Sequence, residues 1–247
     1  MKKLILVLIL VLVPGLSFAG AHSVSIVRGP VVAGDYNDIV FFWTAESTTL
    51  GADDYSAGDT TAALQSSASI SPTAAIVGSN GVLIPTASDF ARFVVSSNDI
   101  YPASGRIGLY VYANTIPVDG VGFLRWANAD ATSRAVVQFT SSGDIDVYWR
   151  DSGTSRTACA STTDPIAADT AYFIEIAYDT NYREIFVDGA SVANCTTTTT
   201  QQNPTVLDIG NESAVSPGDG LHIDQIMVSN DKTRNLYLLR NLTESPR

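Results

Sequence analysis

Aromatic and charged side chains alternate with apolar ones along three stretches of this sequence, and their types suit the binding of a sugar. Asp146, Tyr148 and Arg150 alternate with apolar residues in one stretch, and Glu175 holds the same kind of position in another. Aromatic rings pack against the C–H faces of sugars, while planar polar groups bond to their hydroxyls. If these stretches share one sheet face, that face carries a glycan site formed by Tyr110, Tyr112, Asp146, Tyr148, Arg150 and Glu175. The alternative is an ordinary solvated face, on which tyrosine is favoured by its strand propensity.

The same residues do not complete a known catalytic pattern. Asp144 and Asp146 have the i, i+2 spacing of acids on one strand face, but the glutamate of the retaining-glycosidase pattern is missing. His22 and His222 are the only histidines, so neither a lyase-type set nor a Ser-His-Asp triad has support. We therefore expect no catalytic residues, with a polysaccharide-degrading enzyme of unfamiliar site as an alternative.

Short apolar stretches rich in Val, Ile, Tyr and Phe dominate the rest of the chain, and helical periodicity is nearly absent. Gly, Asp, Asn, Ser and Pro separate these stretches, as they do between the strands of antiparallel sheets. Strands are predicted at 39–43, 92–95, 106–112, 121–126, 135–139, 144–149, 172–178, 184–187, 206–209 and 221–228. Since no helical pattern or repeat intervenes, the predicted fold is all-β: a two-sheet antiparallel β-sandwich of the jelly-roll type.

Composition and charge exclude several classes of protein. The chain has 247 residues, a formal net charge of −11 and a hydrophobic content of 45%. An acidic surface repels phosphate backbones, so we expect no nucleic-acid partner. The hydrophobic content is too high for a disordered chain, and two cysteines are too few for a four-cysteine zinc site.

The first residues have the organisation of a secretory signal peptide. Two lysines precede an unbroken apolar run at residues 4–13, and small residues then allow cleavage after Ala19 or Ala21. We expect residues 1–19 to be removed and residues 20–247 to form one domain that is secreted, extracellular or periplasmic. A membrane anchor is the alternative, but a helix of this run is about 15 Å long, half of a bilayer core. No later apolar run is long enough to span a membrane.

Export bears on the state of the two cysteines. Cys159 and Cys195 would enter an oxidising compartment, where cysteines pair. The sequence therefore predicts a disulfide between them, and two separately buried thiols are the alternative.

Several short motifs resemble those of laminin-G-like, concanavalin-A-like jelly rolls. In residues 177–189, a strand ending in Tyr-Asp is followed by a short turn and a second strand that closes on Val-Asp-Gly. Residues 54–59 are similar to a turn near the start of such domains, residues 105–113 to a Gly-led strand, and residues 221–229 to the closing strand. The resemblance covers about residues 39–230 and implies the fold of this family.

The resemblance also implies a structural calcium ion. Similar carbohydrate-binding jelly rolls hold calcium between an early glutamate and a late aspartate, and their first and last strands are often neighbours. The predicted carboxylate ligands are Glu46, Asp54, Asp59 and Asp224. Backbone carbonyls would complete a shell of roughly six to eight oxygens. The alternative is that these carboxylates cap turns or carry solvated charge.

Taken together, these patterns predict an exported, non-catalytic module that binds a glycan or another cell-surface component. A structural protein that self-associates through its C-terminal stretch and exposed strand edges is the main alternative.

Overall fold

The computed structural model of the protein describes residues 38–48, 60–86, 88–95, 104–115, 121–127, 134–140, 143–151, 155–161, 166–196, 204–210 and 220–239. The predicted signal peptide, residues 1–19, lies outside these residues. None of the helices within them is long and apolar enough to cross a membrane.

The described residues contain fifteen strands, numbered in chain order, that form two antiparallel sheets. Sheet A consists of β1 (Ile39–Trp43), β3 (Ser69–Ser71), β4 (Gly81–Ile84), β6 (Gly105–Ala113), β11 (Thr170–Tyr178), β12 (Tyr182–Val187), β13 (Ala190–Thr196) and β15 (Leu221–Ser229). Sheet B consists of β2 (Thr60–Gln65), β5 (Phe90–Val95), β7 (Val121–Ala127), β8 (Arg134–Phe139), β9 (Ile145–Asp151), β10 (Ser155–Ala160) and β14 (Val206–Gly210). Two 3-10 helices, Pro72–Ala74 and Leu236–Leu238, complete the elements of this part of the chain. The predicted all-β, two-sheet sandwich is confirmed.

The strand order decides which residues share a face. Sheet A runs β13-β12-β11-β6-β15-β4-β3, and β1 also pairs with β15. Sheet B runs β10-β9-β8-β7-β14-β5-β2. The strands β6 and β11 are therefore neighbours, whereas β9 belongs to the opposite sheet.

Side chains that alternate inward fill the space between the two sheets. In β11, Ile174 and Ile176 are fully buried, and in β9, Ile145, Val147 and Trp149 are buried on the inner face. The alternation predicted for both strands is confirmed. Each such side chain contributes about 1.5–3 kcal/mol through the water-accessible apolar area that it loses.

The last strand of the sandwich, β15, pairs with the first, β1. Its second half pairs with β1, so that Trp43 lies opposite Ile226, and its first half pairs with β4. The register with β6 shifts between Asp224 and Ile226, where Gln225 has a φ of +40°. This is a β-bulge, which bends a strand and redirects its side chains.

The hairpin between β12 and β13 has a two-residue turn, Asp188-Gly189. Both residues have positive φ, +49° and +80°, as a type I′ turn requires. A Cβ at Gly189 would also lie 2.9 Å from the ring of Tyr237, so the turn needs glycine for close packing as well as for its backbone. The Asp-Gly pair that closes the motif at residues 177–189 is a sequence signal for such a turn.

The disulfide between Cys159 and Cys195 is confirmed, with Cα atoms 5.7 Å apart. Cys159 lies on β10 and Cys195 on β13, which are the terminal strands of sheets B and A in the described part of the chain. The bond therefore joins the two sheets directly at one side of the sandwich.

Candidate functional site

The predicted glycan-binding residues divide between the two outer faces of the sandwich. Sheet A carries Tyr110, Tyr112 and Glu175, which alternate with core residues of β6 and β11. Sheet B carries Asp146 and Tyr148, which alternate with the core residues of β9. The expectation that they all share one face is therefore wrong. Its physical reason is strand order: β9 pairs with β8 and β10, not with β6 or β11.

Glu175 is fully buried beneath the C-terminal segment, residues 231–239. Its Oε1 accepts the amide protons of Leu236 at 2.9 Å and Tyr237 at 3.1 Å, and Nε of Arg106 lies 2.9 Å from the same oxygen. Burial raises the pKa of Glu175, while the charge of Arg106 and the two amide bonds oppose that rise. This carboxylate holds the C-terminal segment on the sheet and is not exposed to a ligand.

Tyr110 is half-buried by the same segment. Its ring packs edge-on against Phe173, with centroids 5.0 Å apart. Phe173, Met227 and Leu236 form a small apolar cluster on the outer face of sheet A, and Tyr110 packs against it. Tyr110 is thus part of the contact that seats the C-terminal segment.

On sheet B, the predicted residues are only slightly exposed. Asp146 and Tyr148 each retain 8% exposure, and the amide of Gln138 donates to Oδ2 of Asp146 at 3.0 Å. The register places Arg150 two residues further along β9, but its side chain lies outside the described residues.

Tyr112 lies near the end of β6 on the outer face of sheet A, and its half-exposed ring forms an aromatic platform. The ring stacks on the imidazole of His222, the residue opposite it on β15, with centroids 4.9 Å apart and planes at 29°. On the other side, the register places the small, exposed Ala171 of β11. The ring face toward Ala171 therefore has no bulky neighbour from the adjacent strand. We call Tyr112, Asp169, Ala171 and His222 the Tyr112 platform.

Asp169 gives this platform a hydrogen-bonding edge. The Tyr112 hydroxyl donates to Oδ1 of Asp169 at 2.6 Å, and this bond raises the pKa of Tyr112. Asp169 is exposed and has a φ of +58°, which aspartate adopts more readily than most residues. Its backbone amide donates to the carbonyl of Ala113 at 2.9 Å, which fixes the loop against β6.

His222 gives the platform a second polar group. Burial lowers the pKa of His222, which favours the neutral imidazole with its one donor and one acceptor. An aromatic face bordered by a carboxylate and a neutral imidazole suits an uncharged, polyhydroxylated ligand.

Of the four platform residues, sequence reasoning identified only Tyr112 as a binding residue. Asp169 lies in a turn just before β11, where no pattern marked it. His222 alternates with the buried Leu221 and Ile223, which is a signal that it faces outward. Its pairing with Tyr112 depends on the β15–β6 register, and that register is not visible in the sequence.

The predicted calcium ligands Glu46 and Asp224 both bind the loop at residues 75–80. Oδ2 of Asp224 accepts the amide protons of Ile76 at 3.0 Å and Val77 at 2.9 Å. Both carboxylate oxygens of Glu46 accept the amide proton of Ser79, at 3.1 and 3.0 Å. Burial, together with the negative charge of Glu46, raises the pKa of Asp224 to about 8 although these amide bonds oppose the rise.

The fit of a calcium ion to these residues is partial. The early glutamate and the late aspartate are brought close together, but Asp54 and Asp59 lie outside the described residues. Calcium takes roughly six to eight oxygen ligands. Among the residues that the structure describes, no group of three acidic, histidine or cysteine side chains could hold a metal. The calcium site stays a prediction, and the repulsion between two neighbouring carboxylates is its support.

No family model matches the sequence, and no curated protein matches it. Solved structures with a similar fold include binding domains of botulinum neurotoxins. The serotype D binding domain has a TM-score of 0.65 at 8% identity, over 83% of this chain and 52% of that chain. The receptor-binding domain of botulinum neurotoxin D has a TM-score of 0.66 at 9% identity, over 84% and 53%. The serotype D ligand-binding domain in complex with N-acetylneuraminic acid has a TM-score of 0.65 at 8% identity, over 83% and 51%.

These likenesses show the fold. The chain spans about half the length of the neurotoxin binding domains that it matches. At such low identity, the likeness carries over no residue of their binding sites, and the laminin-G-like, concanavalin-A-like family stays a resemblance.

Proposed function

We propose that this protein is an exported, non-catalytic module that binds a glycan through the Tyr112 platform. One observation carries the proposal: the ring of Tyr112 stacks on His222 on one side and faces the small Ala171 on the other. The carboxylate of Asp169 stands at the hydroxyl end of that ring. The structural neighbours support the proposal, since they are receptor-binding and ligand-binding domains, one of them in complex with N-acetylneuraminic acid.

In this proposal, a sugar ring packs its C–H face on Tyr112 above Ala171. Oδ1 of Asp169 already accepts the tyrosine hydroxyl, and Oδ2 accepts a sugar hydroxyl. A hydrogen bond to an ionised carboxylate contributes about 1.5–3 kcal/mol, roughly twice a neutral one. His222 stacks on the opposite face of the tyrosine ring.

The test is a glycan-array screen of residues 20–247 as wild type and as Tyr112→Ala. We expect wild type to bind at least one class of neutral glycan, and the variant to lose about tenfold or more in affinity, which corresponds to about 1.4 kcal/mol. Ala171→Trp should have a similar effect, because an indole would occupy the space beside the tyrosine ring.

Tyr182→Ala is the matched control. Tyr182 is also a half-buried tyrosine on the outer face of sheet A, and its hydroxyl donates to a carboxylate, that of Glu184. Its ring lies under Lys232, 5.3 Å from the ammonium group, so it is not a platform. Glycan binding that Tyr182→Ala and Tyr112→Ala affect equally, or no glycan binding by folded wild type, would overturn the proposal.

A further inference from the structure

The exposed charge at the Tyr112 platform is negative. The described stretches that pair around it in sheet A are residues 81–86, 109–115, 166–172 and 220–224, and none of these contains lysine or arginine. Their acidic residues are Asp169, which is exposed, and Asp224, which is fully buried. Burial lowers the pKa of His222 and so disfavours the imidazolium form that would compensate a negative charge. From these stretches, a ligand therefore meets the charge of Asp169.

The hydrogen-bond donors beside Asp169 already have acceptors within the protein. The Tyr112 hydroxyl donates to Oδ1 of Asp169 at 2.6 Å, and the Asp169 amide donates to the carbonyl of Ala113 at 2.9 Å. Among the four platform residues, the side-chain donor that remains is the imidazole N–H of His222. Proteins hold a carboxylate ligand with cationic side chains or with several N–H groups. The described platform lacks the first and offers a single side-chain donor of the second kind.

Asp169 offers an acceptor instead. In the proposed function, a sugar hydroxyl donates to its Oδ2. A neutral sugar gains this charge-assisted bond, which is about twice as strong as a bond between neutral groups. A sugar that carries a carboxylate at the same place brings two negative charges together, and their repulsion is stronger at a partly desolvated contact than in bulk water. The same side chain therefore favours one class of glycan and disfavours the other.

We infer that Asp169 sets the specificity of the Tyr112 platform: it selects neutral glycans and rejects glycans whose bound sugar carries a carboxylate. Uronic acids and N-acetylneuraminic acid are sugars of the rejected class, whereas galactose, glucose and their N-acetylated amino forms are neutral. The inference rests on the proposed function, because it concerns the same site.

The test compares glycans that differ by a carboxylate. The probes are the neutral and the acidic members of the glycan array, among them N-acetyllactosamine with and without a terminal N-acetylneuraminic acid, and soluble dextran against carboxymethyl-dextran. Where wild-type residues 20–247 bind a neutral member, we expect its acidic counterpart to bind about tenfold or more weakly. Added salt should strengthen the weak binding of the acidic member, because salt screens the repulsion, and should leave the neutral member unchanged.

Asp169→Asn removes the charge and keeps the shape. Asparagine also adopts the positive φ of +58° at this position, and its oxygen can still accept the Tyr112 hydroxyl proton, so the loop should stay in place. The variant should bind the neutral glycan more weakly and the acidic glycan more tightly, so the neutral-to-acidic affinity ratio should fall about tenfold. A residue with only a structural role would weaken both members alike and leave this ratio unchanged.

Asp231→Asn is the matched control, because it removes the same charge elsewhere. Asp231 is exposed, and its Oδ1 accepts the amide and hydroxyl protons of Thr233 at 2.8 and 2.7 Å, which an asparagine oxygen would also accept. Ser229, two residues before it, lies opposite Arg106, at the other end of β6 from Tyr112, so roughly 20 Å separate the two changes. The Debye length is about 8 Å in physiological salt, so this control should keep the affinity ratio of wild type.

Failure of the inference and failure of the proposed function give different results. If folded wild type binds the acidic members as tightly as the neutral ones, or if the two Asp→Asn variants change the ratio equally, the inference is wrong. Loss of binding in Tyr112→Ala would then still support the platform. If folded wild type binds no glycan, the proposed function and the inference are both wrong. Thermal unfolding shows that each variant is folded, and the wild-type comparison depends on no variant.

Discussion

At the scale of single residues, sheet A buries two carboxylates in different ways. Glu175 has the guanidinium group of Arg106 beside it, so its charge is compensated inside the protein. Asp224 has only amide groups as described partners, and the nearby charge of Glu46 is of the same sign. The first carboxylate stabilises a segment when ionised, whereas the second resists ionisation.

Glu175→Ala should be strongly destabilising. The change leaves the buried Arg106 without its partner and the amides of Leu236 and Tyr237 without an acceptor, so we expect a loss of about 3–5 kcal/mol in the free energy of unfolding. Chymotrypsin should then cleave at Tyr237 before the rest of the domain unfolds. Urea unfolding and limited proteolysis measure both effects. The control is Glu184→Ala, a half-exposed glutamate on the adjacent strand that accepts the hydroxyl proton of Ser191 at 2.5 Å. A loss in Glu175→Ala no larger than in this control would contradict the anchoring role.

The pKa of Asp224 predicts how stability depends on pH. Its pKa is about 8 in the folded chain, and an unfolded aspartate has a pKa of about 3.9. Between these values the folded chain binds the extra proton, so the free energy of unfolding should fall as the pH rises from about 4 to 8 and level off above it. Glu46→Gln removes the neighbouring charge and should make the fall shallower, while the amide of Ser79 keeps an acceptor.

If the predicted calcium site exists, calcium should counter this pH-dependent fall in the free energy of unfolding. A cation between Glu46 and Asp224 favours both ionised forms, so millimolar calcium should raise the unfolding midpoint at about pH 8 more than at about pH 5. Unfolding curves with calcium and with EDTA measure this difference. Magnesium serves as the control, because it is smaller and gives up its waters reluctantly. Identical curves in calcium and EDTA would rule out the calcium site.

At the scale of elements, the sequence revealed the interior strands and missed those at the edges. The predicted stretches correspond to β1, β5, β6, β7, β8, β9, β11, β12, β14 and β15. Four of the five missed strands, β2, β3, β10 and β13, are the terminal strands of the two described sheets. Edge strands bury less apolar surface and are often polar, so strands such as SRTACA and TTAALQ do not show the apolar pattern.

The register between strands also could not be predicted from the sequence. Tyr110 and Glu175 do share a face, but the C-terminal segment covers it, and the sequence showed this segment only as an apolar stretch, without the face on which it packs. The bulge at Gln225 sets which residues of β15 lie opposite β6. Pairing of this kind depends on contacts across long sequence distances, whereas alternation is a local property.

The disulfide connects two strands, and the effect of removing it on stability is simple to measure. It closes a loop of 36 residues between two edge strands, and the chain-entropy treatment gives roughly 3–4 kcal/mol for a loop of this length. Cys159→Ala together with Cys195→Ala should lower the free energy of unfolding by about that amount, and reduction of wild type should do the same. Urea unfolding with and without reductant tests this, with the double variant as the control for effects of the reductant itself. A wild type that unfolds at the same urea concentration in both conditions would contradict the prediction.

At the scale of the whole molecule, the aromatic residues predicted to bind a glycan lie on opposite outer faces of one sandwich, with Tyr112 on sheet A and Tyr148 on sheet B. Packed sheets are about 10 Å apart, and the side chains of both outer faces add to that distance. A sugar ring packed on Tyr112 is therefore too far from Tyr148 to contact both.

This arrangement predicts that glycan binding depends on one face of the sandwich. Tyr112→Ala on sheet A should weaken glycan binding about tenfold or more, whereas Tyr148→Ala on sheet B should leave the affinity within about twofold of wild type. The glycan found in the array screen, titrated against both variants, measures the difference, and thermal unfolding shows that each variant is folded. Equal losses in the two folded variants would mean that the ligand is not confined to sheet A, and the assignment of binding to the Tyr112 platform would then be wrong.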